Sequence, residues 1–151
     1  MALPPEIVGL SYVYPDHYEV GREKIREYAA AVHNEDAAYF DDDAAAALGH
    51  GAILAPLTFI SILGLKAQMA FFEHHNIPIT EEKVVQAEQG LTMLRPIKAG
   101  DKLHCHVRLE SLRRAFGADV FTIRSRITNQ DGEIVQEGYT TMAGRTEDEP
   151  G

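Results

Sequence analysis

The sequence predicts an α+β protein in which one long helix is wrapped by a curved antiparallel sheet, the alternative being an ordinary helix on one side of a flat sheet. Two observations carry that expectation. The stretch 54–75, LAPLTFISILGLKAQMAFFEHH, repeats apolar residues at helical spacing. From residue 84 to 145 the chain then reads as strand-like runs separated by turn residues.

The helix comes first because everything else must cover it. Leu57, Ile60, Leu63, Gly64, Ala67 and Phe71 fall on one face, while Phe59, Ile62, Met69 and Phe72 make the other side apolar too. Such a helix needs neighbours around most of its circumference. Leu63 and Ala67 are expected where it meets the sheet. The uncharged run 51–65 is too short for a membrane span, contains Pro56 and ends at Lys66.

The remaining elements follow in chain order. Val8, Tyr12, Val13 and Tyr14 favour extended structure, which Pro15 ends. Residues 21–34 form a helix with Ile25, Tyr28, Ala29 and Val32 inward and a charged face of Arg22, Glu23, Lys24, Arg26 and Glu27. A second, short helix spans 41–48, where Asp41, Asp42 and Asp43 favour the positive end of the helix dipole and Gly49 stops it. The Asp triplet reads as a cap and a solvated face, because no ligand pair at metal-binding spacing accompanies it.

Strands are predicted at 84–94, 102–109, 120–128 and 134–143, with turns at Pro96, Gly100-Asp101, Gly117 and Asp131-Gly132. Within the second of these, Leu103, Cys105, Val107 and Leu109 face one way and Lys102, His104, His106 and Arg108 the other. The two histidines sit beside cationic neighbours, which disfavours metal ligation. Gln86 and Gln89 have opposite strand parity, so only one points inward unless a bulge intervenes. Residues 1–151 read as a single domain, with 146–151 an acidic, frayed tail.

Net charge is −9, from 23 acidic and 14 basic residues. Nucleic-acid binding is therefore not expected, Arg113–Arg114 with Arg124 and Arg126 being the only basic cluster to inspect. One cysteine, Cys105, excludes an internal disulfide and, with no signal-peptide pattern, suggests the cytoplasm. No phosphate loop, paired-Cys motif or nucleophile elbow is present, and no cofactor or metal is expected.

Residues 28–62 together with RPIKAGDKL resemble the MaoC-like hot-dog hydratases and dehydratases. That resemblance implies a central helix wrapped by an antiparallel sheet, acting on acyl thioesters of coenzyme A or acyl carrier protein. Active members carry a G-D-x-N-P-x-H-x-D segment, then A-x-x-x-G, then His-Gly opening the central helix. The corresponding segment here is VHNEDAAYFDDDAAAALGHGAILAPLTF. Asn34 stands where the catalytic Asp is expected, Tyr39 where the His is expected, and Ala55-Pro56 where His-Gly would open the helix. Asn accepts no proton, and a tyrosine hydroxyl titrates far above an imidazole. Loss of a positioned acid/base commonly removes on the order of 10²–10⁴ in rate.

With YPDHYEVGREKIREYA, VVQAEQ, TNQDGEIVQEGYTT and AGR added, the chain is most similar to the non-catalytic, A-type subunits of mycobacterial-type (3R)-hydroxyacyl-ACP dehydratase. The resemblance implies a heterodimer with a catalytic hot-dog subunit that keeps the Asp and His, working on acyl chains bound to acyl carrier protein. It further implies a place in type II fatty acid elongation toward mycolic acid precursors. The catalytic set of this chain is then empty, with Asn34 and Tyr39 as degenerate positions. Leu57, Phe59, Ile60, Ser61, Leu65, Gln86 and Gln89 are the candidate acyl-channel residues. The competing reading is a homodimeric acyl-thioester binding module or hydratase that uses other residues, such as His33 with Asp36.

Overall fold

The computed structural model describes residues 3–145. The predicted 146–151 tail lies outside them. The chain runs β1 (Ser11–Val13), β2 (Tyr18–Glu19), α1 (Arg22–Ala31), α2 (Asp42–Ala47), α3 (Ser61–His74), β3 (Val84–Met93), β4 (Lys102–Ala115), β5 (Ala118–Thr128) and β6 (Ile134–Gly144). All strand pairs are antiparallel, in the order β1-β4-β5-β6-β3, and β2 also pairs with β4.

The predicted alternation in β4 holds residue by residue: Leu103, Cys105, Val107 and Leu109 are fully buried and the intervening side chains are exposed. Register then fixes the neighbours. Phe121, Ile123 and Ile127 of β5 lie opposite Leu112, Leu109 and Cys105, so the same face of both strands is apolar. Against it α3 packs Leu63, Ala67, Phe71 and Phe72, with Phe72 edge-on to Phe121 at 5.5 Å between ring centres. At its C-terminal end α3 is fastened to β1, where His74 stacks on Tyr12 and His75 Nε2 lies 2.9 Å from the Ser11 carbonyl. Both histidines also suit the helix's negative end, as their position predicts.

The long helix starts later than expected. Pro56 is extended, residues Leu57–Ile60 form a 3₁₀ turn, and regular α-helix begins at Ser61. Leu57, placed by periodicity in the buried stripe, is 58% exposed, while Phe59, placed on the opposite side, is 1% exposed. The extended Pro56 leaves Leu57 as the first residue of its turn, with no preceding turn to share a face. Phe59 instead fills the space between Tyr18 and Tyr28, edge-on to both rings.

Local chemistry secures the connections. Asp41 caps α2 through Ala44 N–H, and Asp42 accepts from Ile53 N–H and pairs with Arg22, so two of the three acids secure the fold while Asp43 is exposed. Asp101, 2% exposed, accepts from Lys98 N–H and Gln130 Nε2 and so ties the turn before β4 to the turn before β6. Among the described residues no helix is long and apolar enough to cross a membrane.

Candidate functional site, a groove beside the central helix

On the flank away from β4, α3 and the sheet do not close. The α3 residues Ser61, Gly64, Leu65 and Gln68 follow one another at i, i+3, i+4 and i+7, a continuous stripe along one side of the helix. Opposite them stand Val84, Gln86 and Gln89 of β3 and Thr140 and Met142 of β6. Between the two rows lies an open groove of about 250 Å³, with Glu81 at its rim. Beneath it, and sharing Ser61, Gly64, Gln68, Gln89 and Thr140, a narrower cavity of about 20 Å³ extends inward to Ile60, Leu91, Ile127 and Gln136.

The condition set by strand parity is met: the β3–β6 register slips between Gln86 and Glu88, and this bulge brings Gln86 and Gln89 to the same groove. Gln89 Nε2 donates to Ser61 Oγ across it at 3.4 Å, and Gln68 Nε2 donates to Thr140 Oγ1 at 3.2 Å. Glycines keep the walls close. A Cβ on Gly138 would lie 2.9 Å from the Gly90 carbonyl oxygen, so a larger residue there would push β3 away from β6. At Gly64 the position of a Cβ is open, and the missing side chain simply widens the groove.

The structure thus brings Ser61, Leu65, Gln86 and Gln89 together and adds Ile60 through the inner cavity. Leu57 and Phe59 line neither space. Sequence reasoning missed Gln68, Thr140 and Gln136. The signals were available: Gln68 completes the Ser61–Gly64–Leu65 stripe, and Gln136, Gly138, Thr140 and Met142 share one parity of β6.

Asn34 and Tyr39 sit apart from both spaces. Asn34 Oδ1 lies 3.5 Å from Asp36 N, and Tyr39 closes a 3₁₀ turn with its ring packed on the core. Asp36 commits its carboxylate to Ala38 N–H, capping that turn, while His33 is exposed at φ 58°. No three His, Cys, Asp or Glu side chains among the described residues are grouped to hold a metal ion.

The basic cluster is largely spoken for. Arg114 pairs at 3.3 Å with buried Asp119, its register partner on the same side as Leu112 and Phe121. On the outer face of the sheet Arg124 pairs with Glu110 at 2.6 Å and Arg126 with Glu137 at 3.3 Å. Tyr139 lies over Gly90 on that face and donates from its hydroxyl to Glu88 at 2.9 Å, clasping β6 to β3 behind the groove.

Comparison with known proteins fits this architecture. Residues 6–138 match the family model described as FAS1-like, dehydratase domain region. A UPF0336 protein of Mycobacterium leprae is 57% identical over 145 residues, covering 96% of this chain and 91% of the relative. Among solved structures, the C-terminally truncated HadBC (3R-hydroxyacyl-ACP dehydratase) complex from Mycobacterium tuberculosis superposes with a TM-score of 0.83 at 43% identity, covering 91% of this chain and 97% of the other. A MaoC-like dehydratase gives 0.82 at 38% identity, covering 94% of this chain but 43% of that longer one. With most of its length matched by the family model and by a relative of this identity, the chain belongs to the FAS1-like dehydratase-region family and has its hot-dog fold.

Proposed function

We propose that this chain is the substrate-channel and stabilising subunit of a heterodimeric (3R)-hydroxyacyl-ACP dehydratase, whose partner supplies the catalytic Asp and His. The observation that carries the reading is a groove suited to holding a chain and without an Asp–His pair. Its lining is mostly neutral amides, hydroxyls and hydrocarbon, with Glu81 as its carboxylate and no histidine, and the two degenerate positions, Asn34 and Tyr39, lie outside it. General acid/base work requires a titratable group within reach of the reacting atom.

The groove also opens beside an unfinished edge. β3 has a partner on one side only, leaving a long row of backbone groups available for pairing. Val85, Leu57 and Leu65 add exposed apolar surface, at 70%, 58% and 40% exposure. A second hot-dog subunit docking there covers the edge and roofs the groove, and the likeness to a two-subunit dehydratase complex supports that choice of partner. In this arrangement the acyl chain, delivered on acyl carrier protein, extends along Ser61, Leu65, Gln86 and Gln89. Fatty acid elongation toward mycolic acid precursors, in the cytoplasm, is the setting the resemblance implies.

The test is reconstitution with an intact-site hot-dog partner. Light scattering should give a 1:1 complex, and hydration or dehydration should depend on the partner's Asp and His. Asn34→Ala and Tyr39→Phe should leave turnover nearly unchanged. Bulk added at Ser61 or Leu65 should slow long acyl thioesters more than four-carbon ones. Loss of turnover on Tyr39→Phe with a dispensable partner site would refute the reading.

A further inference from the structure

Five polar or charged side chains are buried among the described residues: Gln68, Asp101, Asp119, Gln136 and Thr140. Two of them have structural work. Asp101 holds Lys98 N–H and Gln130, and Asp119 holds Leu3 N–H and Arg114. The other three line the same inner cavity at the base of the groove. Concentrating buried polarity in one place runs against the cost of desolvating it, unless something there uses it.

Gln136 is the unbalanced member. It is 1% exposed, and its Nε2 donates to the Leu57 carbonyl oxygen at 3.2 Å. A carbonyl only accepts, so the amide nitrogen must face Leu57 and Oε1 must point elsewhere. That Oε1 is buried and has no hydrogen-bond partner in the protein. Gln68 and Thr140, by contrast, satisfy each other. The cavity beside Gln136, about 20 Å³, has room for one water-sized group and not for a length of chain. It connects to the groove through Ser61, Gly64, Gln68, Gln89 and Thr140. No carboxylate lines it, so a cation entering would lose its hydration without an opposing charge.

We infer that Gln136 Oε1 is a specificity-determining acceptor for a neutral hydrogen-bond donor carried by a chain-like ligand in the groove. The shared chemistry is an O–H or N–H on an otherwise extended chain: the hydroxyl of a hydroxyacyl group, or an amide N–H of a pantetheine arm. Bare hydrocarbon leaves the acceptor unmatched and binds less well. This rests on the acyl-thioester reading above and specifies which chains the groove prefers.

The test measures binding to the reconstituted heterodimer by calorimetry with four probes, this chain being wild type or Gln136→Met and the partner's Asp and His replaced to prevent turnover. These are methyl octanoate, methyl 3-hydroxyoctanoate, octanoyl-pantetheine and 3-hydroxyoctanoyl-pantetheine. A matched hydrogen bond should be worth roughly tenfold in affinity. Gln136→Met should therefore weaken the donor-bearing probes about tenfold and methyl octanoate less than about twofold. A penalty that follows the hydroxyl assigns the donor to the acyl group, and one that follows pantetheine assigns it to the arm. Should the variant not fold, wild type decides the matter. O-methylation of the hydroxyl or N-methylation of the amides should then cost a similar factor. Binding of all four probes regardless of donor would overturn this proposal alone. Failure of all four to bind would overturn the acyl-binding reading and this inference with it.

Discussion

On its β4–β5 flank, α3 meets Leu103, Cys105, Val107, Leu109, Phe121 and Ile123, every one of them fully excluded from solvent. On its β3–β6 flank the same helix meets Gln86, Gln89, Thr140 and Met142 across a gap, from a stripe that includes a serine, a glycine and a glutamine. The first flank is closed to solvent, where dispersion and burial stabilise together. The second exchanges that stabilisation for an accessible, hydrogen-bonding wall. A helix apolar nearly all round still has two different sides, and the difference lies in what the sheet offers it.

The largest effect that tests this contrast is on stability. Phe121→Ala should destabilise by about 3–5 kcal/mol and Leu63→Ala by about 2–5 kcal/mol, the usual costs for buried truncations. Leu65→Ala, on the groove side, and Leu57→Ala, at the exposed start of the helical segment, should each stay within about 0.5 kcal/mol. Denaturant midpoints measured on one protein preparation would check this, and equal losses on both flanks would erase the distinction.

How much of this was legible in advance differs between the flanks for a physical reason. Strict alternation at Leu103–Leu109 encodes a face directly, because strand parity admits no other reading once one side is apolar. The groove is encoded by weaker marks. A bulge, invisible in composition, decides that Gln86 and Gln89 act together. Leu57 falls outside its expected face because α-helical phase does not apply to Leu57–Ile60, a 3₁₀ turn that precedes the start of α3 at Ser61. Gln136 escaped notice because a lone polar residue in a strand is ordinarily at the surface. Only its parity with Met142 marked it as inward. Asn34 and Tyr39 could be singled out by the family motif, whereas their separation from the groove needed the fold.

An intermediate effect concerns alkaline pH. Burial on the finished flank pushes the Cys105 thiol up to about 12 from an ordinary value near 9. The folded state thus favours the protonated thiol. Its contribution is fully present below the unfolded pKa and is lost between pH 9 and 12 as the unfolded chain alone releases the proton. The slope should approach about 1.4 kcal/mol per pH unit in that window. Comparing wild type with Cys105→Ala from pH 8 to 11 isolates it, since the variant should lack this part of the alkaline decline. A wild-type curve parallel to the variant's would mean that the thiol is solvated and the flank less tightly closed than described.

The smallest expected effect has the most informative sign. Gly64 sits inside α3, where glycine costs a helix roughly 0.8–1 kcal/mol relative to alanine. A Cβ there meets nothing within 4 Å. Steric necessity therefore does not explain the glycine; Gly64 lines both the groove and the inner cavity, where the proposed acyl chain would lie. Gly64→Ala should raise stability by about 0.5–1 kcal/mol while weakening binding of an extended acyl probe. Gly64→Leu should block it and retain the fold, since the added side chain projects into open space. The thermal midpoint and probe affinity, measured on the same samples, should move in opposite directions. If Gly64→Ala lowered both, the glycine would be serving the packing of α3, and the two flanks would be alike after all. If it raised stability and left binding untouched, the gap would be a mere imperfection of the fold and not a place where a chain lies.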